Sequence, residues 1–199
     1  MGASASFIAG LGSQWILGGS GAAYETTLAE RFALVGHVGR VTALGVELRH
    51  ARPDLAEGGA LFHDDGSGAD IASAGSGYRD ELYLGLSLGL SFDARARVPP
   101  SRPRLEFRPL LGFTAGALFT DTQLSLPGLD GPTDYRGRSV DPQVGAGAGV
   151  EARFAEWLSL SPRLDAAVTV ASDEREVAAG ERWGVEWRLV PAVELGVRF

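Results

Sequence analysis

Residues 81–93 read ELYLGLSLGLSFD, with leucine or phenylalanine at 82, 84, 86, 88, 90 and 92, and Tyr83, Gly85, Ser87, Gly89 and Ser91 between them. Successive side chains of an extended strand point to opposite sides, so this strict period of two gives one wholly apolar face. The other face is nearly bare. Had it met water, lysine, glutamate or threonine would be expected there.

The same alternation recurs along the 199 residues. Phe7, Ala9, Leu11, Trp15 and Leu17 share one face of a first strand, interrupted only by Ser13. Leu28, Phe32, Leu34 and Val38 mark a second, and Leu44, Val46 and Leu48 a third. After the quoted stretch comes a fifth, with Leu105, Phe107, Pro109, Leu111, Phe113, Ala115, Ala117 and Phe119 in phase. Val144, Ala146, Ala148, Val150, Ala152 and Phe154 give a sixth. Leu158 to Val170 gives a seventh, and Trp183 to Phe199 an eighth. Most of these runs are longer than the ~5–6 residues usual in soluble sheets. Tight turns, at Val38-Gly39-Arg40 and Ala155-Glu156-Trp157, alternate with longer polar connections at 18–26, 51–78, 121–139 and 172–182. A mid-length link, ARARVPPSRPR, falls on the short side. This describes a single all-β domain over 1–199, a closed eight-stranded antiparallel up-and-down barrel with two unlike rims. Segment 51–78 is rich in Gly, Ala, Ser and Asp without periodicity, and is expected to be a mobile loop.

The non-leucine face decides which way the barrel faces. It carries Glu47 and Arg49, Glu106 and Arg108, Glu151 and Arg153, Arg163 and Asp165, Glu186 and Arg188, and Glu194 and Arg198. Six acids stand with six arginines, and five of the six pairs are two residues apart on one strand. Balanced charges among glycines suit a narrow interior filled by side chains. There every buried ion needs a partner, since an unpaired one costs several kcal/mol. The leucines are therefore expected to face lipid, in a transmembrane β-barrel. Aromatic residues form two expected girdles at the lipid interfaces. Trp15, Tyr24, Trp183 and Trp187 lie near the long-connection rim, and Phe92, Phe107, Phe154, Trp157 and Phe199 near the short-turn rim.

Composition narrows the function classes. The net charge of −7 argues against nucleic-acid binding. The absence of cysteine removes disulfides, thiolate metal sites and cysteine nucleophiles. No apolar run approaches the ~20 residues of a membrane-spanning helix. The opening MGASAS has neither a charged n-region nor an apolar h-region, so the sequence is expected to begin at a mature N-terminus with an added methionine.

The chain resembles the small eight-stranded outer-membrane barrels of Gram-negative bacteria, the OmpA-like, OmpX-like and OmpW-like group. Its most specific element is the C-terminal run Val193-Glu194-Leu195-Gly196-Val197-Arg198-Phe199. There Val193, Leu195, Val197 and Phe199 alternate as in the signal by which such proteins are recognised for insertion. Glu194 stands where that pattern usually has glycine. The resemblance implies termini in the periplasm, short periplasmic turns and long extracellular loops. It also implies the lipid bilayer and lipopolysaccharide as surroundings, the barrel assembly machinery as partner during biogenesis, and a monomer.

Catalytic and ligand chemistry is sparse. His63-Asp64-Asp65 has no second ligand group at defined spacing, so no metal is expected. His50 sits at the outer rim on the lipid-facing parity, but no Ser-His-acid set can be assembled around it. The glycine runs GLGSQW and GAGAGVE belong to strands, and no cofactor is expected. Each interior carboxylate has its own arginine, which keeps it ionised and structural. The expected role is non-enzymatic: envelope integrity or surface interaction, displaying 51–78 and 121–139. A narrow or laterally open porin-like path for small or hydrophobic solutes is the alternative, and a soluble lipocalin-like carrier with leucines inside is the second. The arginines of the 94–104 link, Arg95, Arg97, Arg102 and Arg104, are expected to meet anionic headgroups.

Overall fold

The computed structural model describes residues 4–18, 24–38, 41–56, 61–64, 69–72, 76–92, 105–128, 131–171 and 184–199. Eight of its ten strands close a barrel: β1 (Ser4–Leu17), β2 (Thr27–Val38), β3 (Thr42–Ala51), β6 (Ser76–Ser91), β7 (Glu106–Gly128), β8 (Gly131–Arg153), β9 (Leu158–Ala171) and β10 (Gly184–Arg198). Every barrel strand pairs antiparallel with its neighbours in the barrel sequence, and β10 returns to β1 from Ser6↔Arg198 to Leu17↔Trp187. Ala5 and Phe199 exchange both backbone hydrogen bonds at the seam, 3.0 and 2.9 Å. Closure removes the sheet edges, as an apolar medium demands of a spanning sheet.

The leucine parity faces outward. Leu86 is 68 % exposed and Leu11 57 %, whereas Tyr83 on the other parity is 2 % exposed. Among the described residues, seventeen buried side chains are polar or charged and twelve are apolar. This inverts a water-soluble core and does not suit a soluble carrier with leucines inside. The bare face has a steric reason. A Cβ on Gly85 would overlap the Tyr83 hydroxyl, and one on Gly147 would overlap the Asp165 carboxylate. The glycines leave the lumen to large side chains, the tyrosine of their own strand or ions from the neighbouring one.

Two connections differ from their expected loops. Residues 121–128 and 131–138 pair in a ladder, from Asp121↔Arg138 up to Gly128↔Gly131. Above the apolar band neither face need be apolar, so the period of two fades, while Thr120, Thr122 and Leu124 still turn inward and are buried. Within 51–78, β3 ends at Ala51, and isolated bridges join Asp54 to Tyr78 and Leu55 to Tyr24. A small hairpin, β4 (Leu61–Asp64) with β5 (Ala69–Ala72), follows, and Ser76 already opens β6. Its four-residue strands are too short to betray a period. The described turn at 154–157 is as short as expected.

Leu86 lies midway along the outward face of β6, between Asp80 and Phe92. Leu86→Arg is expected to lower stability by about 2–4 kcal/mol, the midplane value for a lipid-facing cation. Reversible denaturant unfolding in vesicles measures it; an unchanged midpoint would put Leu86 elsewhere than in lipid.

Candidate functional site

The lumen is filled by two tiers of paired ions. In the upper tier, toward the long connections, Arg79 and Glu81 on β6 meet Glu186 and Arg188 on β10. Three strands separate β6 from β10 either way round, so these pairs span the barrel. Arg79 donates in parallel to both Glu186 oxygens at 2.7 and 2.9 Å. Arg188 donates to Glu81 at 2.8 and 3.2 Å, to Glu186 at 2.8 Å and to the Thr169 hydroxyl at 2.7 Å. Gln14 donates to Glu81 at 2.8 Å, and Gln143 to Thr169 at 3.0 Å. All four ions are at least 96 % buried, so they stand only as a satisfied set.

The lower tier runs around the wall. Arg49 pairs with Glu47, Glu47 with Arg31, and Arg31 with Glu194. Arg163 then reaches Glu194 at 3.4 Å and pairs with Asp165. Nearer the short turns, Arg108 pairs with Glu106 and Arg153 with Glu151, each at 3.0 Å. The register sets Glu106 beside Arg153 and Arg108 beside Glu151, giving a four-cornered alternation. Below the lower tier the lumen widens into a cavity of about 120 Å³ at the short-turn end.

Sequence pairing places Glu47–Arg49, Glu106–Arg108, Glu151–Arg153, Arg163–Asp165 and Glu186–Arg188 in contact, and the structure brings each together. Glu194 and Arg198 are not joined. Four residues of strand separate them by about 13 Å, and Glu194 instead binds Arg31 and Arg163 while Arg198 lies 3.4 Å from the His37 ring. Four further lumenal charges lie outside the sequence pairing, Arg31, Arg79, Glu81 and Asp141; Arg79 and Glu81 have the two-residue spacing at the outer end of β6, whereas Arg31 and Asp141 have no opposite charge at that spacing. Their parity reveals them. Glu81, the first residue of the quoted stretch, shares the face of Tyr83. With these four, eight arginines and eight carboxylates face the lumen among the described residues.

On the outer face the apolar band ends in a polar belt. Glu30, His50, Asp80, Asp121, Arg136 and Arg138 hold outward positions at the long-connection end. His50 lies 2.8 Å from Asp80 and 3.8 Å from Glu30. Asp121 accepts from Arg136 at 2.8 and 3.2 Å and from Arg138 at 3.0 Å. Those hydrogen bonds, Arg136's foremost, hold its carboxyl at about 2, below the usual carboxylate range.

Of the expected girdle, Trp15, Phe92, Phe107, Phe154, Trp157, Trp187 and Phe199 face outward and exposed. Tyr24 does not: it is buried, its ring 5.8 Å from the Arg79 guanidinium, where it covers the upper tier. Of the terminal run, Val193, Leu195 and Phe199 are exposed outward and Val197 is half-buried between Phe7 and Leu158. Trp183, the link arginines Arg95, Arg97, Arg102 and Arg104, and the side chains of His63-Asp64-Asp65 lie outside the described residues.

The crystal structure of Neisserial surface protein A is similar to this chain with a TM-score of 0.52 at 15 % identity, covering 100 % of each. What this likeness shows is the fold, a closed eight-stranded antiparallel barrel. The N-terminal β-barrel domain of Pseudomonas aeruginosa OprF is also similar, with a TM-score of 0.42 and 15 % identity over 98 % of this chain and 97 % of that one. So is Ail, the attachment invasion locus protein of Yersinia pestis, at 0.42 and 11 % over 100 % of both. No protein-family model and no curated protein sequence matches the chain.

Two outcomes test this outer-membrane-type barrel. Arg79→Met leaves Glu186 and Glu81 sharing Arg188, and is expected to cost about 3–5 kcal/mol, while the double variant Arg79→Met/Glu186→Met costs less than its parts summed. A denaturant double-mutant cycle reads the coupling. For Asp121, whose folded value lies below the ordinary 3.8, the stabilisation of the outer hairpin is full above about pH 4 and is lost as pH falls toward 2. Amide exchange across 121–138, corrected for intrinsic rates, should show protection falling there first.

Proposed function

We propose that this chain is a non-enzymatic barrel of the bacterial outer membrane whose role is structural or surface-interactive. One observation carries the reading. The lumen is shut by the cross-barrel Arg79–Glu186–Arg188–Glu81 set, while the β7–β8 ladder runs on beyond the apolar band. A closed lumen and a projecting hairpin favour display over transport. The periplasm lies at the short turns in this reading, and the hairpin outside the cell.

The chain acts as one domain over 1–199 and as a monomer, since closure leaves no barrel edge to pair with a second copy. Arg136 and Arg138 stand where the band ends and anionic headgroups begin, which favours lipopolysaccharide around the outer belt. The exposed Val193, Leu195 and Phe199, on the strand that closes the barrel, suit recognition by the assembly machinery. The porin-like alternative draws on the short-turn cavity, but a solute entering it meets both tiers.

In planar bilayers the refolded chain is expected to give no steady conductance. Trypsin added to intact cells is expected to cut at Arg136 or Arg138, marking the hairpin as surface-displayed. Steady ohmic openings would transfer the case to the porin-like reading; complete protection of the hairpin on intact cells would remove surface display.

A further inference from the structure

The charge inside the barrel balances overall but not along its axis. Among the described residues of the long-connection end, Arg79 and Arg188 face Glu81, Glu186 and Asp141. Among the described residues of the short-turn end, Arg108, Arg153 and Arg198 face Glu106 and Glu151. The surplus cation there is Arg198. Among the described residues it has no carboxylate within ion-pair distance; its neighbours are the His37 ring at 3.4 Å, the like charges of Arg153 and Arg108, and Glu151. Arg198 is half-buried, so its charge is only partly screened by water and is open to an anion entering from the short-turn end.

The space beside it is suited to hold that anion. The cavity of about 120 Å³ is faced by four guanidiniums, Arg31, Arg153, Arg163 and Arg198, against the carboxylates of Glu151 and Glu194. Glu47, which Arg49 shares, and Asp165 pair with Arg31 and Arg163 from behind the lining, so the excess at the cavity is the single charge of Arg198. Ser87, Ser159 and Ser161 also line it, and the Ser87 hydroxyl is buried with no hydrogen-bond partner. Arg31, 7 % exposed, likewise keeps its Nε without a partner, although its terminal nitrogens are engaged. One water needs only ~10–15 Å³ by the same measure, so the void is large enough for a tetrahedral oxyanion with its hydration. Planar guanidinium forks and hydroxyl donors match such an ion's oxygens.

We propose that the short-turn cavity is a binding site for a small tetrahedral oxyanion, a dianion of the phosphate or sulfate class, held by Arg198 and Arg153 with Ser159, which the register sets beside Arg153 and Gly196, as a neutral donor. The site opens toward the short turns and ends at the lower tier, so the ion is bound and not passed through.

Refolded full chain in zwitterionic micelles would be titrated with inorganic phosphate, and separately with sulfate, at constant ionic strength in chloride. Calorimetry and the arginine Nε–Hε resonances report the binding. Saturable binding of either ion that shifts Arg198 is expected, weakened at least about tenfold by Arg198→Gln. Should that variant fail to fold, Gly89→Leu serves. A Cβ there meets only Ala43, at 3.6 and 3.8 Å, so the side chain fills the void without touching an ion, and binding should vanish from a folded barrel. Arg136→Gln, at the other end, should bind as the parent does. Absence of saturable binding to the parent chain, or undiminished binding in the Gly89→Leu barrel, would overturn the site.

Discussion

Two arginines and two glutamates from opposite walls hold one another inside the barrel, and much of the molecule follows from their need to do so. Arg79, Glu81, Glu186 and Arg188 are at least 96 % buried. Removing one leaves a stranded charge whose cost exceeds what most single contacts contribute. The bare face of β6 has its own reason lower in the lumen, where Gly85 leaves room for the Tyr83 ring and Ser87 and Gly89 line the short-turn cavity.

The outward face answers to a different solvent. Leucines exposed by half or more would be a liability in water and are at home among acyl chains. The band has a definite upper limit, marked by Glu30, His50, Asp80, Asp121, Arg136 and Arg138 on successive strands. Beyond it, among the described residues, β7 and β8 continue furthest as a long paired ribbon, with the first residues of β6 alongside. The wall of the barrel is thus a membrane device and the ribbon is not, which is the physical basis for reading the function at the outer rim.

Within the membrane the fold was legible, because there the two solvents enforce strict alternation. Leu82 to Phe92 could hardly form anything else. Outside the membrane that signal disappears: Thr120, Asp121, Thr122 and Gln123 read as loop chemistry, though they form a ladder with 136–139. The ion pairs divide along similar lines. Partners two residues apart on one strand can be read from spacing, as with Glu151 and Arg153. Partners across the lumen cannot, since nothing in a linear pattern brings residue 79 to residue 186. Arg31 was therefore missed, and Glu194, which binds it, was assigned to Arg198. Tyr24 was misplaced for a related reason: an aromatic near a strand end can turn toward lipid or fold back over an arginine, and the burial of Arg79 favours the second.

The chain order of the cross-barrel set has a consequence for assembly. Glu186, Arg188 and Glu194 all reside on β10, the last strand made, while most of their partners lie far upstream, as many as 163 residues away. Until β10 docks, Arg31 keeps Glu47, and Arg79 and Glu81 keep each other, but each lacks its partner across the seam or the lumen in an open trough. A seven-stranded intermediate is accordingly penalised twice, by two open sheet edges and by half-partnered ions in its concavity. The closing strand acts as a latch: its arrival completes the hydrogen-bond ladder and the interior ion pairs together, so a barrel left ajar has little thermodynamic footing.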